Sequence, residues 1–77
     1  MKMSYSLLEQ LISSKIIRIH KVPNGFYYYE YAKEHYEGGT VFGILELEHE
    51  ILSDFGKVIG YFGVKFEHNI LAYYLKN

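Results

Sequence analysis

Four histidines, at positions 20, 35, 49 and 68, are the first residues in this chain whose chemistry invites a functional reading, since neutral imidazole binds metals and titrates near neutral pH. Their spacing supports no site. No two stand four apart, as a helical metal pair requires, and no His-x-His falls on a strand, so solvated or locally hydrogen-bonded rings are expected and no metal or other cofactor. Glu46 and Glu50 would lie one turn apart on a helix and could act there as paired carboxylates for proton transfer. A solvated helix face accounts for them without a cleft or a shifted pKa. Gly38-Gly39-Thr40 lacks the Gly-Lys-Ser/Thr ending and the glycine spacing of a phosphate loop, and reads as a turn and a cap. Serine, histidine and aspartate are all present, yet nothing resembles a nucleophile elbow. A binding protein is expected, and no enzyme.

The stronger signal is aromatic. Nine tyrosines and five phenylalanines, with no tryptophan, make 18% of the 77 residues aromatic. A core this small cannot enclose them all, and a tyrosine hydroxyl is costly to bury alone, so many rings are expected at the water boundary or at an interface. Net charge is −1 but unevenly spread. Residues 1–25 carry four basic and one acidic side chain, residues 26–54 one basic and seven acidic, and residues 55–77 three basic and one acidic. The middle of the chain is an acidic stretch.

These residues must be positioned by a single domain spanning 1–77, short enough that its stability is expected to be marginal. With 49% apolar and 22% charged residues it is too hydrophobic for a disordered segment. The absence of cysteine removes disulfides and thiolate chemistry and fits a reducing interior. Met1 to Ser6 holds no apolar signal core, and no stretch approaches the roughly 20 apolar residues that span a bilayer, so a cytoplasmic location without membrane contact is expected.

Leu7, Leu8, Leu11 and Ile12 recur at helical intervals behind a serine, which predicts a helix over 4–14. A β-branched run over 15–22 and the aromatic run 26–31 flank Pro23-Asn24-Gly25 and read as a hairpin. Residues 40–55 fit two periods. On a helix, Val41, Ile44, Leu45, Leu47, Ile51, Leu52 and Phe55 share one side, with Phe42 and Glu48 out of place, and Gly56 would end it. Strand alternation of Leu45, Leu47, His49 and Ile51 also fits, but leucine and glutamate favour helix, and a second helix is expected. Strands over 57–66 and 70–76 are joined by a tight turn at 67–69, with Gly60 and Gly63 marking a bulge or a close backbone approach. The expected fold class is therefore α+β: an αββαββ-like two-layer domain, a four-stranded mainly antiparallel sheet with two helices on one face. Its halves echo faintly, Leu11-Ile12-Ser13-Ser14 against Ile51-Leu52-Ser53-Asp54.

Two helices cover only one face of such a sheet, so the other is expected to meet solvent or a partner. With Ile17, Ile19, Val58, Phe62, Val64 and Phe66 turned to the helices, Arg18, His20, Tyr61 and Lys65 point away. Tyr27, Tyr29, Tyr31 and Tyr73 are expected to join them. The expected binding set is thus Arg18, Tyr27, Tyr29, Tyr31, Tyr61, Lys65 and Tyr73, with Glu46 and Glu50 on an acidic helix as a second contact. Tyrosine brings large contact area at little entropic cost, which suits a protein partner or a second copy. In style, small acidic-patched domains of this kind resemble phage or mobile-element proteins that inhibit a host protein. The alternative is a binder of nucleotides or single-stranded nucleic acid, with bases stacked on the tyrosines and phosphates near Arg18 and Lys65. Duplex DNA is not expected, since no basic recognition helix is present.

Overall fold

Ser4 decides where the α-helix begins. A computed structural model describes residues 1–34 and 37–76. In it β1 (Lys2–Ser4) runs straight into α1 (Tyr5–Ser14). Ser4 is extended, and its hydroxyl accepts the Leu7 N–H at 3.1 Å, satisfying one of the amides that a helix start leaves unpaired. Lys15 turns left-handed at φ 58° and ends the helix, as expected for 4–14.

The helix carries the chain from one edge of a sheet to the other. Beyond it lie β2 (Arg18–Lys21), β3 (Tyr28–Glu34), β4 (Thr40–Glu46), β5 (His49–Leu52), β6 (Val58–Lys65) and β7 (Ile70–Leu75). Five strands form a mixed sheet in the order β1-β5-β6-β7-β2. Its centre is antiparallel, while the edge strands β1 and β2 lie parallel to β5 and β7. A short 3-10 helix, Phe66–His68, and a left-handed Asn69 close the β6–β7 turn where a tight turn was expected. β3 and β4 form a separate antiparallel ribbon, in register from Tyr28 opposite Glu46 to Glu34 opposite Thr40.

The αββαββ expectation is therefore wrong. Among the described residues there is one α-helix and seven strands, in a mixed five-stranded sheet and a two-stranded ribbon. Residues 40–55 are two strands and a turn, so the acidic helix does not exist, and Gly56, at φ 79°, serves the β5–β6 turn. The expected hairpin across Pro23-Asn24-Gly25 also fails. A turn forms there, but β2 pairs with β7 and β3 with β4, so the turn passes the chain between layers. The echoing tetrapeptides end a helix in one half and a strand in the other, and no structural repeat results.

Packing explains the second layer. On one side of the sheet Met3, Leu8, Ile51, Phe62, Leu71 and Tyr73 form a buried cluster under α1. On the other, Val22, Ile70, Ala72 and Tyr74 pack against Tyr31 and Leu45 of the ribbon and against Leu47, just beyond it. The central strands β6 and β7 are covered on both faces within one chain, the helix taking one and the ribbon the other. Neither face is left open along the length of these strands, contrary to expectation. Gly63 fixes the ribbon's seat: a Cβ there would run into the carbonyl of Glu46, so β4 approaches β6 at backbone distance.

Candidate functional site

The alternation of β6 holds from Tyr61 to Val64, with Phe62 and Val64 on the helix side and Tyr61 on the other, but a register shift nearer the start of the strand puts Ile59, and not the expected Val58, in the helix-side cluster. What lies beyond that other side is protein. Tyr29, half-buried, stacks on His20 with ring centroids 5.3 Å apart and planes 29° from parallel. Tyr31 is buried, its hydroxyl sharing a hydrogen bond with His68 Nδ1, and the Lys65 ammonium stands 6.0 Å from its ring centre. Tyr61, half-buried, meets Tyr74 at 5.7 Å. Tyr29 and Tyr31 bind the ribbon to the sheet and Tyr61 packs against the core between them, so truncating Tyr29 and Tyr61 would loosen the fold as well as any contact.

The remaining expected site residues scatter. Tyr73 lies on the helix side, in the opposite cluster, and Tyr74 takes the place expected for it. Arg18 is exposed on β2 and donates to the His68 carbonyl at 3.3 Å. Tyr27 is exposed beside Leu47, Tyr61, Tyr74 and Lys76, lining an open recess of about 430 Å³. Glu50, on β5, comes within 3.9 Å of Lys2, while Glu46 lies on the ribbon. The helical turn that would have paired them is absent. Of the histidines, 20 and 68 meet the ribbon, and 49 packs against Phe62 with Glu48 3.6 Å away. His35 lies outside the described residues. Among those residues no three histidine, aspartate or glutamate side chains converge as metal ligands do.

Burial has one titration consequence. Desolvation raises the pKa of the Tyr74 hydroxyl above the ordinary 10.0, with Tyr27 and Tyr61 adding to it, and desolvation and then Tyr5 do the same for Tyr73. The unfolded chain therefore gives up these protons at lower pH than the folded one. Stability is full below the ordinary tyrosine value and falls as pH rises from there through the raised one. Urea unfolding compared at neutral pH and above pH ~10 should show that loss, and Tyr74→Phe should reduce it. Equal losses with and without the Tyr74 hydroxyl would contradict the assignment.

An exposed aromatic and aliphatic surface lies elsewhere, on the outer face of the ribbon. The register places Tyr28 opposite Glu46, Glu30 opposite Ile44 and Ala32 opposite Phe42, all pointing away from the sheet because Tyr29, Tyr31 and Leu45 point towards it. Tyr28 is 61% exposed, Phe42 75% and Ile44 54%. Glu30 and Glu46 are exposed beside them and form no ion pair among the described residues. On this face each glutamate stands directly across from an apolar or aromatic side chain. The sequence reading missed Tyr28, Glu30, Phe42 and Ile44, although a period of two over 40–46 puts Phe42, Ile44 and Glu46 on one side.

A second apolar feature is a cleft of about 280 Å³ between α1 and the sheet, where Leu7, Leu11, Ile16, Phe62, Val64 and Phe66 meet. Only Leu8 of the expected helical stripe is fully enclosed, and Leu7 and Ile12 remain exposed. No helix is long and apolar enough to cross a membrane among the described residues. No protein family, curated protein or solved structure matches the chain, so what the site does follows from its geometry alone.

Proposed function

We propose that this chain is a stoichiometric protein-binding module whose contact surface is the outer face of the β3–β4 ribbon, and whose partner presents basic and apolar side chains. One observation carries the reading. Tyr28, Phe42 and Ile44 share one water-exposed face with Glu30 and Glu46, Glu46 opposite Tyr28 and Glu30 opposite Ile44, on a ribbon whose inner face is spent on holding the domain together. Exposed aromatic and aliphatic residues gathered on one face are the kind of surface that marks an interface. The two carboxylates select for positive charge and speed encounter with it. A phage- or mobile-element-type inhibitor of a host protein would act in this way, by occupying a basic functional surface.

The test compares affinity for the purified partner in the wild type, in Phe42→Ser/Ile44→Ser and in Glu30→Lys/Glu46→Lys. Each double variant should lose about 2 kcal/mol or more, roughly thirtyfold, with melting temperature nearly unchanged because these side chains are exposed. Wild-type affinity in both variants would remove the ribbon face from the reading.

The second reading, a nucleotide or single-stranded nucleic acid, is favoured by the recess where Tyr27, Tyr61 and Tyr74 meet Lys76. Against it, Arg18, Lys65 and Tyr73 do not border that recess, and the acidic ribbon face repels phosphate. Oligonucleotide affinity that falls steeply with added salt and is lost in Tyr27→Ala would favour this second reading.

A further inference from the structure

The ribbon has an edge as well as a face. Leu47 N–H donates to the Tyr27 carbonyl at 2.8 Å, which fixes the alternation of hydrogen bonds along the ribbon: Tyr29 with Leu45 and Tyr31 with Gly43 are the bonded pairs. Thr40, Phe42, Ile44 and Glu46 consequently turn their N–H and C=O groups away from β3. The Glu46 carbonyl lies against Gly63 and so is not open to a further strand. Thr40, Phe42 and Ile44 are exposed, and β4 pairs only with β3 among the described residues.

Natural edge strands are usually protected by charge, proline or a bulge. β3 has Glu30, Lys33 and Glu34 along its length. β4 has no charged residue and no proline from Thr40 to Leu45, and from Thr40 to Ile44 it is a run of β-branched and aromatic residues broken only by Gly43. An unprotected edge of this composition is a template for another strand.

We propose that this edge pairs antiparallel with the same edge of a second copy, about a two-fold axis at Phe42. In that register Phe42 faces Phe42 of the second copy, Thr40 faces its Ile44, and every outward N–H and C=O from Thr40 to Ile44 finds a partner. No charge is set against a like charge, because Glu46 falls beyond the paired segment where the ribbon is already seated on β6. Pairing β3 with itself about Glu30 would instead oppose two carboxylates. The contact is isologous, so it closes as a dimer and joins two ribbons into one four-stranded sheet with a continuous acidic and aromatic outer face. The inference uses the backbone edge and not the side-chain face, and it stands or falls independently of partner capture.

Sedimentation of the full chain over a wide concentration range tests it. The wild type should pass from monomer to dimer as concentration rises. Phe42→Lys and Phe42→Glu each place like charges across the axis, and each should weaken self-association by about tenfold or more. An equimolar mixture of the F42K and F42E chains should restore a dimer, now of one chain of each kind. Ile44→Pro provides a second check: it removes an outward N–H without touching a bond inside the ribbon, and should give a folded monomer. A wild type that stays monomeric throughout overturns the proposal. So does dimerisation undiminished in both charged variants and in Ile44→Pro, which would place the contact elsewhere, or a mixture that remains monomeric.

Discussion

Phe62→Ala is expected to lower stability by about 3–5 kcal/mol, enough to leave much of the chain unfolded at ordinary temperature. Phe62 is among the largest fully enclosed side chains, on the central strand β6, packed with Leu8 of the helix, Ile51 of β5 and Leu71 of β7. Its ring also meets that of His49 at 5.2 Å. Removing it opens a cavity where helix and sheet meet, and no neighbouring side chain can collapse into it without leaving its own place. A domain of this length has little stability in reserve. Urea titration followed by circular dichroism would show the midpoint moving far towards zero denaturant; a shift of less than about 1 kcal/mol would contradict the packing described.

Gly63→Val acts on the other layer. The new side chain would press on the carbonyl of Glu46, a backbone atom that yields only if the ribbon lifts, and a cost of about 3 kcal/mol is expected. The signature should differ from that of Phe62→Ala. Ribbon contacts such as the stacking of Tyr29 on His20 and the Tyr31–His68 hydrogen bond are lost first, while the helix keeps its seat on the opposite face. Amide exchange would separate the two, with β3 and β4 losing protection before β6 and β7. Uniform loss across all strands, or none, would mean that the ribbon is not held at Gly63.

The helix was legible because its signals are local: a capping serine and four aliphatic residues at the right spacing. The β6–β7 hairpin was legible for the same reason, as was the assignment of Phe62 and Tyr61 to opposite faces. Residues 40–55 misled because both periods fit and intrinsic propensity favoured helix. The two misfits of the helical reading were the informative residues. Phe42 belongs to the outer face of a strand, and Glu48 is exposed where the chain leaves β4 for β5. Propensity gave way to packing, since Leu45, Leu47 and Ile51 are all buried when the chain is extended.

The turn at Asn24-Gly25 misled differently. Turn chemistry says that the chain reverses, not which strands pair afterwards, and parallel pairing of β2 with β7 depends on residues some fifty positions away. The candidate site shifted in consequence. Tyr61 on β6 was rightly placed on the side of the sheet away from the helix, but Tyr29 and Tyr31 belong to a ribbon that covers that side and turn their rings inward. The acidic stretch was also real, and its Glu30 and Glu46 lie on the ribbon's exposed face instead of lining a helix.

Everything proposed for the ribbon's outer face depends on its inner face being seated on the sheet. Proton–proton cross-relaxation in the free monomer reads this directly. Contacts of the Tyr31 ring with the His68 ring and of the Tyr29 ring with the His20 ring are expected together, their centroids being 5.6 and 5.3 Å apart. A ribbon in correct β3–β4 register that shows neither contact, with Tyr61 and Tyr74 open to solvent, would contradict the seating and return the binding surface to the sheet.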